Sequence, residues 1–229
     1  MVLRVLPVLV FDFDGTVCLG DGPVRAYAEE AVRGLADEVA AAVLDGLTAH
    51  LDGAPDGHPD GYSAVAALAA PYVTPDDLQK AYTVSREQLA TGALEVTAPA
   101  GLAGFLDQVG GRARRVLVTN APRTGLLETL DELGLTAGFD ELRTDAGKPT
   151  GLPIILAELL DGAPPASLMS IGDVWANDID PALRAGCATA YLPRDPADDR
   201  PAHLRARHLS ELYPALDAWV TDPTSLEMT

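Results

Sequence analysis

The distribution of apolar residues predicts an α/β fold: a Rossmann-like three-layer core around a central parallel sheet, with an all-helical domain inserted into it. Three observations carry that expectation. Short uninterrupted apolar runs, Val8–Asp12, Val116–Thr119, Leu168–Ile171 and Ala188–Leu192, recur along the chain and suit strands covered on both faces. Segments with apolar residues at helical spacing lie between them, at Thr124–Leu133, Leu152–Leu160 and Pro181–Ala185, and this alternation implies right-handed crossovers in an open sheet. From Asp21 to Thr97, by contrast, no strand pattern occurs.

The elements follow in chain order. The opening run MVLRVLPVLV passes directly into FDFDGT with no small-residue cleavage site, and it is too short to span a bilayer. It reads as a buried strand. Pro23–His50 is rich in Ala and Glu at helical spacing, and Ser63–Ala70 suits a further short helix. Thr74 before Pro75-Asp76-Asp77 is an N-cap followed by proline at the first helical position. The expected division is a core of residues 1–20 and 98–229 with a helical domain of 21–97. The tail after Val220 is expected to fray.

Composition narrows the function. The 229 residues include 34 acidic and 16 basic side chains, a formal net charge of −18 with a pI near 4.3, which argues against nucleic acid or an anionic membrane as partner. Hydrophobic residues at 48% give enough apolar content for a buried core. Two distant cysteines, Cys18 and Cys187, suggest neither a disulfide framework nor a zinc site, so a reducing cytoplasm is expected. Only Lys80 and Lys148 are lysines, so a lysine inside a motif is informative.

In open α/β sheets ligands bind beyond the carboxyl ends of the strands, and the sharpest motif stands at the first such end. Asp12 and Asp14 in FDFDGT are two residues apart, so strand alternation points both away from Phe13. One carboxylate there can attack phosphorus and the other can protonate a leaving alkoxide and later activate water. VLVTN ends in Thr119 and Asn120, offering a hydroxyl and a main-chain N–H to a phosphoryl oxygen. Gly147-Lys148-Pro149 sets a cation in a turn before a helix, and GDVWAND adds Asp173 and Asp178 after a third strand. So many acids at one pole call for a hard divalent cation with oxygen ligands, most simply Mg²⁺. Thr119 and Lys148 would then neutralise phosphoryl oxygens.

DFDGT, VLVTN, GKP and GDVWAND, in this order, resemble the four motifs of the haloacid dehalogenase superfamily of aspartate-nucleophile phosphotransferases, over about residues 7–192. The resemblance implies Asp12 as nucleophile, Asp14 as general acid/base, Thr119 as the phosphate-binding hydroxyl and Lys148 as the cation of the third motif. It implies Asp173 as a magnesium ligand beside the Asp12 carboxylate and the Asp14 main-chain carbonyl. Asp178 would hold a metal-bound water or Lys148 from the outer shell. The position of the insert is similar to the helical cap of the phosphoglycolate phosphatase and β-phosphoglucomutase branch. A dehalogenase expels halide and needs no acid at the second position, and a phosphonatase carries a small residue there; Asp14 therefore favours a C–O–P substrate.

The implied activity is a Mg²⁺-dependent phosphatase for a small phosphorylated metabolite. The alternatives are a phosphomutase, which shares every core residue, and a non-catalytic binding protein of the same fold. Val17 is followed by Cys-Leu-Gly-Asp where the family often has a short polar pair, a departure that bears on the cap and leaves the core acids alone. Arg123 in TNAPR is a candidate for a bound phosphate, or a helix-start residue facing water. Arg25, Arg33, Lys80 and Arg86 lie on the insert, where one of them is a candidate to face the site although a solvated helix face is the expectation for each, and His50, His58, His203 and His208 are expected at the surface. Cys18 is expected to have a packing role. The segment Asp52–Gly61, with an acid every fourth residue, suits turns rather than an EF-hand. Oligomeric state and substrate identity are not legible.

Overall fold

A computed structural model of the chain describes residues 6–54 and 56–223. Met1–Val5 of the opening run and the tail from residue 224 lie outside the described residues. In chain order the elements are β1 (Val8–Phe11), α1 (Gly22–Ala31), α2 (Asp37–Leu51), α3 (Gly61–Ala69), α4 (Pro75–Ala90), α5 (Leu102–Val109) and β2 (Arg114–Val118). They continue with α6 (Leu126–Glu132), β3 (Glu141–Arg143), α7 (Leu152–Leu160), β4 (Leu168–Gly172), α8 (Asp180–Arg184), β5 (Ala188–Tyr191), β6 (Leu204–Arg205) and α9 (Tyr213–Thr221). The chain divides into two compact units, one of residues 1–19, 98–123 and 133–229, the other of 20–97 and 124–132.

The first unit is the α/β core. Its six strands form one parallel sheet in the order β3-β2-β1-β4-β5-β6. The order reverses between β1 and β4, which opens a crevice beyond their carboxyl ends. All four residues of β1 are buried, as expected of a central strand. Val8 and Val10 share one face with Val116, Val118 and Leu168, and on that face Leu152, Leu156 and Leu159 of α7 and Ala182 of α8 complete an apolar cluster. Leu9 and Phe11 point the other way by alternation, where Phe11 meets Phe139 edge-on at 5.8 Å. The register Val10↔Ser170 and Phe11↔Ile171, with Asp12 N donating to Ile171 O at 2.9 Å, brings the two strand ends level. Two edge strands, β3 and β6, were not legible as apolar runs: β3 has three half-buried residues and β6 only two.

The second unit is helical. Val24, Tyr27, Ala28, Val43, Leu47, Val65 and Ala81, from four different helices, meet in its apolar centre. Asp60 caps α3 by accepting from Ser63 N at 2.7 Å, and Thr74 and Asp77 form a reciprocal capping box on α4. Segment 124–132 groups with these helices although it follows β2 in the chain. Two expectations are corrected here. Arg86 is fully buried, unlike exposed Arg25, Arg33 and Lys80. His50 is buried as well, its Nδ1 2.9 Å from Asp56 Oδ2, so the acid-rich turn after α2 folds back onto the helix.

Candidate active site

Each strand end in the centre of the sheet delivers one motif. After β1 the chain makes a tight turn in which Val17 N and Cys18 N both donate to Phe13 O, at 2.9 and 2.8 Å, while Gly15 N donates to Cys18 O at 2.9 Å. Phe13, Val17 and Cys18 are buried, anchoring the turn in the core and confirming the packing role of Cys18. Asp12 is buried and Asp14 half-buried on the same turn. Gly15 adopts φ +88°, and a Cβ there would overlap the Asp173 carboxylate; only glycine lets this backbone pass so close to the acid of the fourth motif.

β4 ends in Gly172, and a wide π-type turn, Trp175–Ile179, follows. Insertions of this kind re-aim side chains and recur at functional sites. Here the turn returns Asp178 toward the strand end it came from: Asp178 Oδ2 accepts from Val174 N at 3.2 Å, and Ser170 Oγ donates to Asp178 O at 2.7 Å. A Cβ at residue 172 would overlap the Asp178 side chain, so the second glycine is again fixed by close approach. Thr16 Oγ1 stands 3.5 Å from Asp173 Oδ1.

The three motifs converge on Lys148. Its Nζ donates to Asp12 Oδ1 and to Asp178 Oδ1, each at 2.6 Å, with all three side chains buried. The turn that carries it is tied to the end of β2: Lys148 N donates to Asn120 Oδ1 at 2.7 Å and Asn120 Nδ2 donates to Lys148 O at 3.0 Å. Thr119 is buried beside it, its Oγ1 accepting from Ala121 N at 3.0 Å. Arg123 is exposed on the bend that follows.

Charge in this cluster does not balance. Asp12, Asp173 and Asp178 each bring a carboxylate oxygen within 4.8 Å of the other two, against the one ammonium of Lys148. Burial raises the Asp12 carboxyl to about 7, with Lys148 opposing and Asp178 and Asp14 adding to the rise. Burial alone would lower the Lys148 ammonium, but Asp12 and Asp178 outweigh it and hold it protonated. A buried carboxylate is favoured in its charged form by nearby positive charge and by hydrogen bonds donated to it. A divalent cation would supply the charge, and the all-oxygen, all-carboxylate donor set suits a hard ion such as Mg²⁺. Asp12 and Asp173 fit as direct ligands, whereas both oxygens of Asp178 already accept bonds from Lys148 and Val174.

Sequence reasoning had no signal for two parts of this arrangement. The Asn120–Lys148 clip joins residues 28 positions apart, and Ser170, a polar residue inside an apolar run, supports Asp178 from beneath. Among the described residues no helix is long and apolar enough to cross a membrane.

No protein-family model matches the chain, and no curated protein matches it. Solved structures do. The chain is similar to the putative HAD-hydrolase YfnB from Bacillus subtilis, a structure bound to magnesium, at 22% identity, covering 93% of this chain and 100% of that one with a TM-score of 0.60. It is similar to CbbY from Rhodobacter sphaeroides in complex with phosphate, at 18% identity, 91% and 96% coverage and a TM-score of 0.64. The L-2-haloacid dehalogenase RSc1362 matches at 18% identity, 93% and 99% coverage and a TM-score of 0.57. These likenesses, with the strand order and the crevice between β1 and β4, show that the chain has the α/β fold of these haloacid dehalogenase-like structures.

Proposed function

We propose that the protein is a Mg²⁺-dependent phosphatase that hydrolyses a small phosphorylated metabolite through an aspartyl-phosphate on Asp12. The observation that carries this reading is the second acid: Asp14 shares the turn of Asp12, in a cluster where Lys148 already holds the nucleophile. A halide leaves without a proton, whereas an alkoxide leaving group needs one, so Asp14 favours phosphate esters over the haloacids of the dehalogenase relative. Magnesium in the YfnB structure and phosphate in the CbbY complex support the same pair of ligands here.

In this reading an Asp12 carboxylate oxygen attacks phosphorus and the bond from phosphorus to the ester oxygen breaks, with Asp14 delivering its proton to that oxygen. The alcohol departs. Asp14, now a carboxylate, takes a proton from water as the water oxygen attacks the phosphorus of phospho-Asp12, which releases inorganic phosphate and restores both acids. Thr119, the Asn120 main-chain N–H and Lys148 bind the phosphoryl oxygens, and exposed Arg123 is a further candidate contact. Lys148 also orients Asp12 through the 2.6 Å bond. Asp12 and Asp173, with the Asp14 carbonyl, would hold Mg²⁺, and Asp178 would support them from behind. The ion supplies electrostatic stabilisation of the transferring group. The helical unit, entered directly after the first motif, is assigned substrate selection as a cap domain.

The test is phosphate release across a panel of phosphorylated sugars, glycolate and nucleotides, with and without EDTA, beside halide release from 2-haloacids. EDTA-sensitive phosphate release from at least one ester is expected. Halide release without phosphate release would overturn the reading, and conversion of a hexose phosphate to its isomer would turn it into a mutase.

A further inference from the structure

The turn that carries Asp173 and Asp178 is held from outside by a feature that the chemistry above does not use. Trp175 stands between the two acids, and its ring packs against the small apolar cluster of Ile179, Tyr191 and Ala202. Its indole Nε1 donates to Pro201 O at 3.1 Å. The Arg200 guanidinium lies 5.1 Å over the Trp175 ring and 5.8 Å over that of Tyr191, a cation–π arrangement on two faces. The same guanidinium donates from Nε to both oxygens of Asp198, at 2.9 and 3.0 Å, and from Nη2 to Tyr191 Oη at 3.0 Å. Tyr191 Oη in turn donates to Asp198 Oδ2 at 2.5 Å. Arg205 completes the set, bonding to the main-chain carbonyls of Asp198 and Arg200 from beneath.

Loop residues 195–203 are thereby closed onto β5 and β6 and clamped against the acidic turn. On its inner side that turn is held at Asp178, by Lys148, Ser170 and Val174 N. Asn177 N and Asp178 N both donate to Val174 O at 2.9 Å, in a π-type geometry that is rare outside functional sites. On its outer side Trp175, with Ile179, is where the loop meets it.

We propose that Trp175 and Arg200 are positioning residues for the divalent-cation site: their stacked contact fixes the turn that sets Asp173 and Asp178 relative to Asp12. This rests on the metal reading given above. Partners one layer behind a metal's ligands typically alter affinity about 10- to 100-fold when removed. The latch acts through the backbone rather than through a ligand's own hydrogen bond, so the low end of that range applies.

The experiment is isothermal titration of the full chain with MgCl₂, with a thermal melt of each protein alongside. Arg200→Ala is expected to weaken Mg²⁺ binding about tenfold, and Trp175→Phe, which keeps a ring under the guanidinium but loses the N–H, by less. Arg112→Ala is the control; it removes an ion pair to Asp217 in the same unit and should leave Mg²⁺ affinity unchanged whatever it does to the melt. Unaltered affinity in a folded Arg200→Ala protein overturns the latch while leaving the metal site standing. Equal weakening in Arg112→Ala also overturns it, because the effect would then be one of general stability. A wild-type protein that takes up no Mg²⁺ overturns the metal reading itself. If Arg200→Ala does not fold, Trp175→Phe carries the decision by the same criteria.

Discussion

The two units of this protein bury opposite kinds of material. At the sheet ends of the α/β unit, Asp12, Lys148 and Asp178 are almost withdrawn from water and hold one another at 2.6 Å. The helical unit centres on three tyrosine rings, Tyr27, Tyr62 and Tyr82, with centroids 5.7–5.9 Å apart, surrounded by aliphatic side chains. A buried charge cluster is costly to assemble and intolerant of the loss of a member. An apolar centre loses stability in proportion to the volume removed and is indifferent to which reaction takes place elsewhere. The charged cluster of the α/β unit is therefore where single substitutions should abolish chemistry, and the apolar centre of the helical unit where they should change stability alone.

The largest expected effect breaks the chemistry outright. Asp12→Asn removes the proposed nucleophile but keeps its shape, and phosphate release should fall by roughly 10³-fold or more while the circular dichroism spectrum is retained; a fully active variant would sink the mechanism. Lys148→Ala comes next. It leaves Asp12 and Asp178 buried side by side without their shared cation, and removing one partner of a buried pair costs about 3–5 kcal/mol, readable as a lowered urea midpoint together with lost turnover. In the helical unit, Leu47→Ala at a fully buried position should cost about 2–5 kcal/mol yet leave Mg²⁺ affinity as it was. A change in that affinity would erase the contrast between the units.

The smallest effect is a pH dependence inside the α/β unit and away from the cluster. Asp140 accepts from Arg115 at Nη2, Nε and the main-chain N, at 2.7, 3.0 and 2.8 Å, and these bonds, against some burial, hold its carboxyl below the ordinary 3.8. A depressed folded-state pKa stabilises above the unfolded value and loses that contribution as pH falls through the folded one. The difference in urea midpoint between wild type and Asp140→Asn should thus be full at pH 6 and shrink below pH 3.8. The pair is partly exposed, so the difference is small and should weaken further in high salt.

Legibility in the sequence followed the same division. The acids of the proposed site follow strand ends, so apolar runs such as VLVF and LMSI place Asp12 and Asp173 just beyond β1 and β4. Lys148 stood out through lysine scarcity. Strand β3, with Glu141 and Arg143 at either end, presents no apolar run, since an edge strand needs little apolar surface. Pro23–His50 reads as continuous helical pattern but breaks into α1 and α2 around Gly34, which takes φ +85°. Arg86 and His50 were expected in water because their types favour it, and periodicity within one helix does not reveal which face its neighbours will cover. Trp175 and Arg200 meet across 25 positions of turn and loop, a pairing that local pattern does not encode.

The clip between Asn120 and Lys148 has a consequence for what can vary. Its side-chain amide matches one donor and one acceptor of a single peptide group, as a rung between two strands would. An aspartate at 120 would keep the acceptor for Lys148 N but set its other oxygen against the Lys148 carbonyl, and a leucine would fill the space while answering neither polar group. Position 120 is thus fixed by its neighbour's backbone before any substrate arrives. In the proposed reaction the hydroxyl of Thr119 and the ammonium of Lys148, from opposite sides of the clip, would act as one preassembled jaw whose ordering entropy is settled during folding rather than at each turnover.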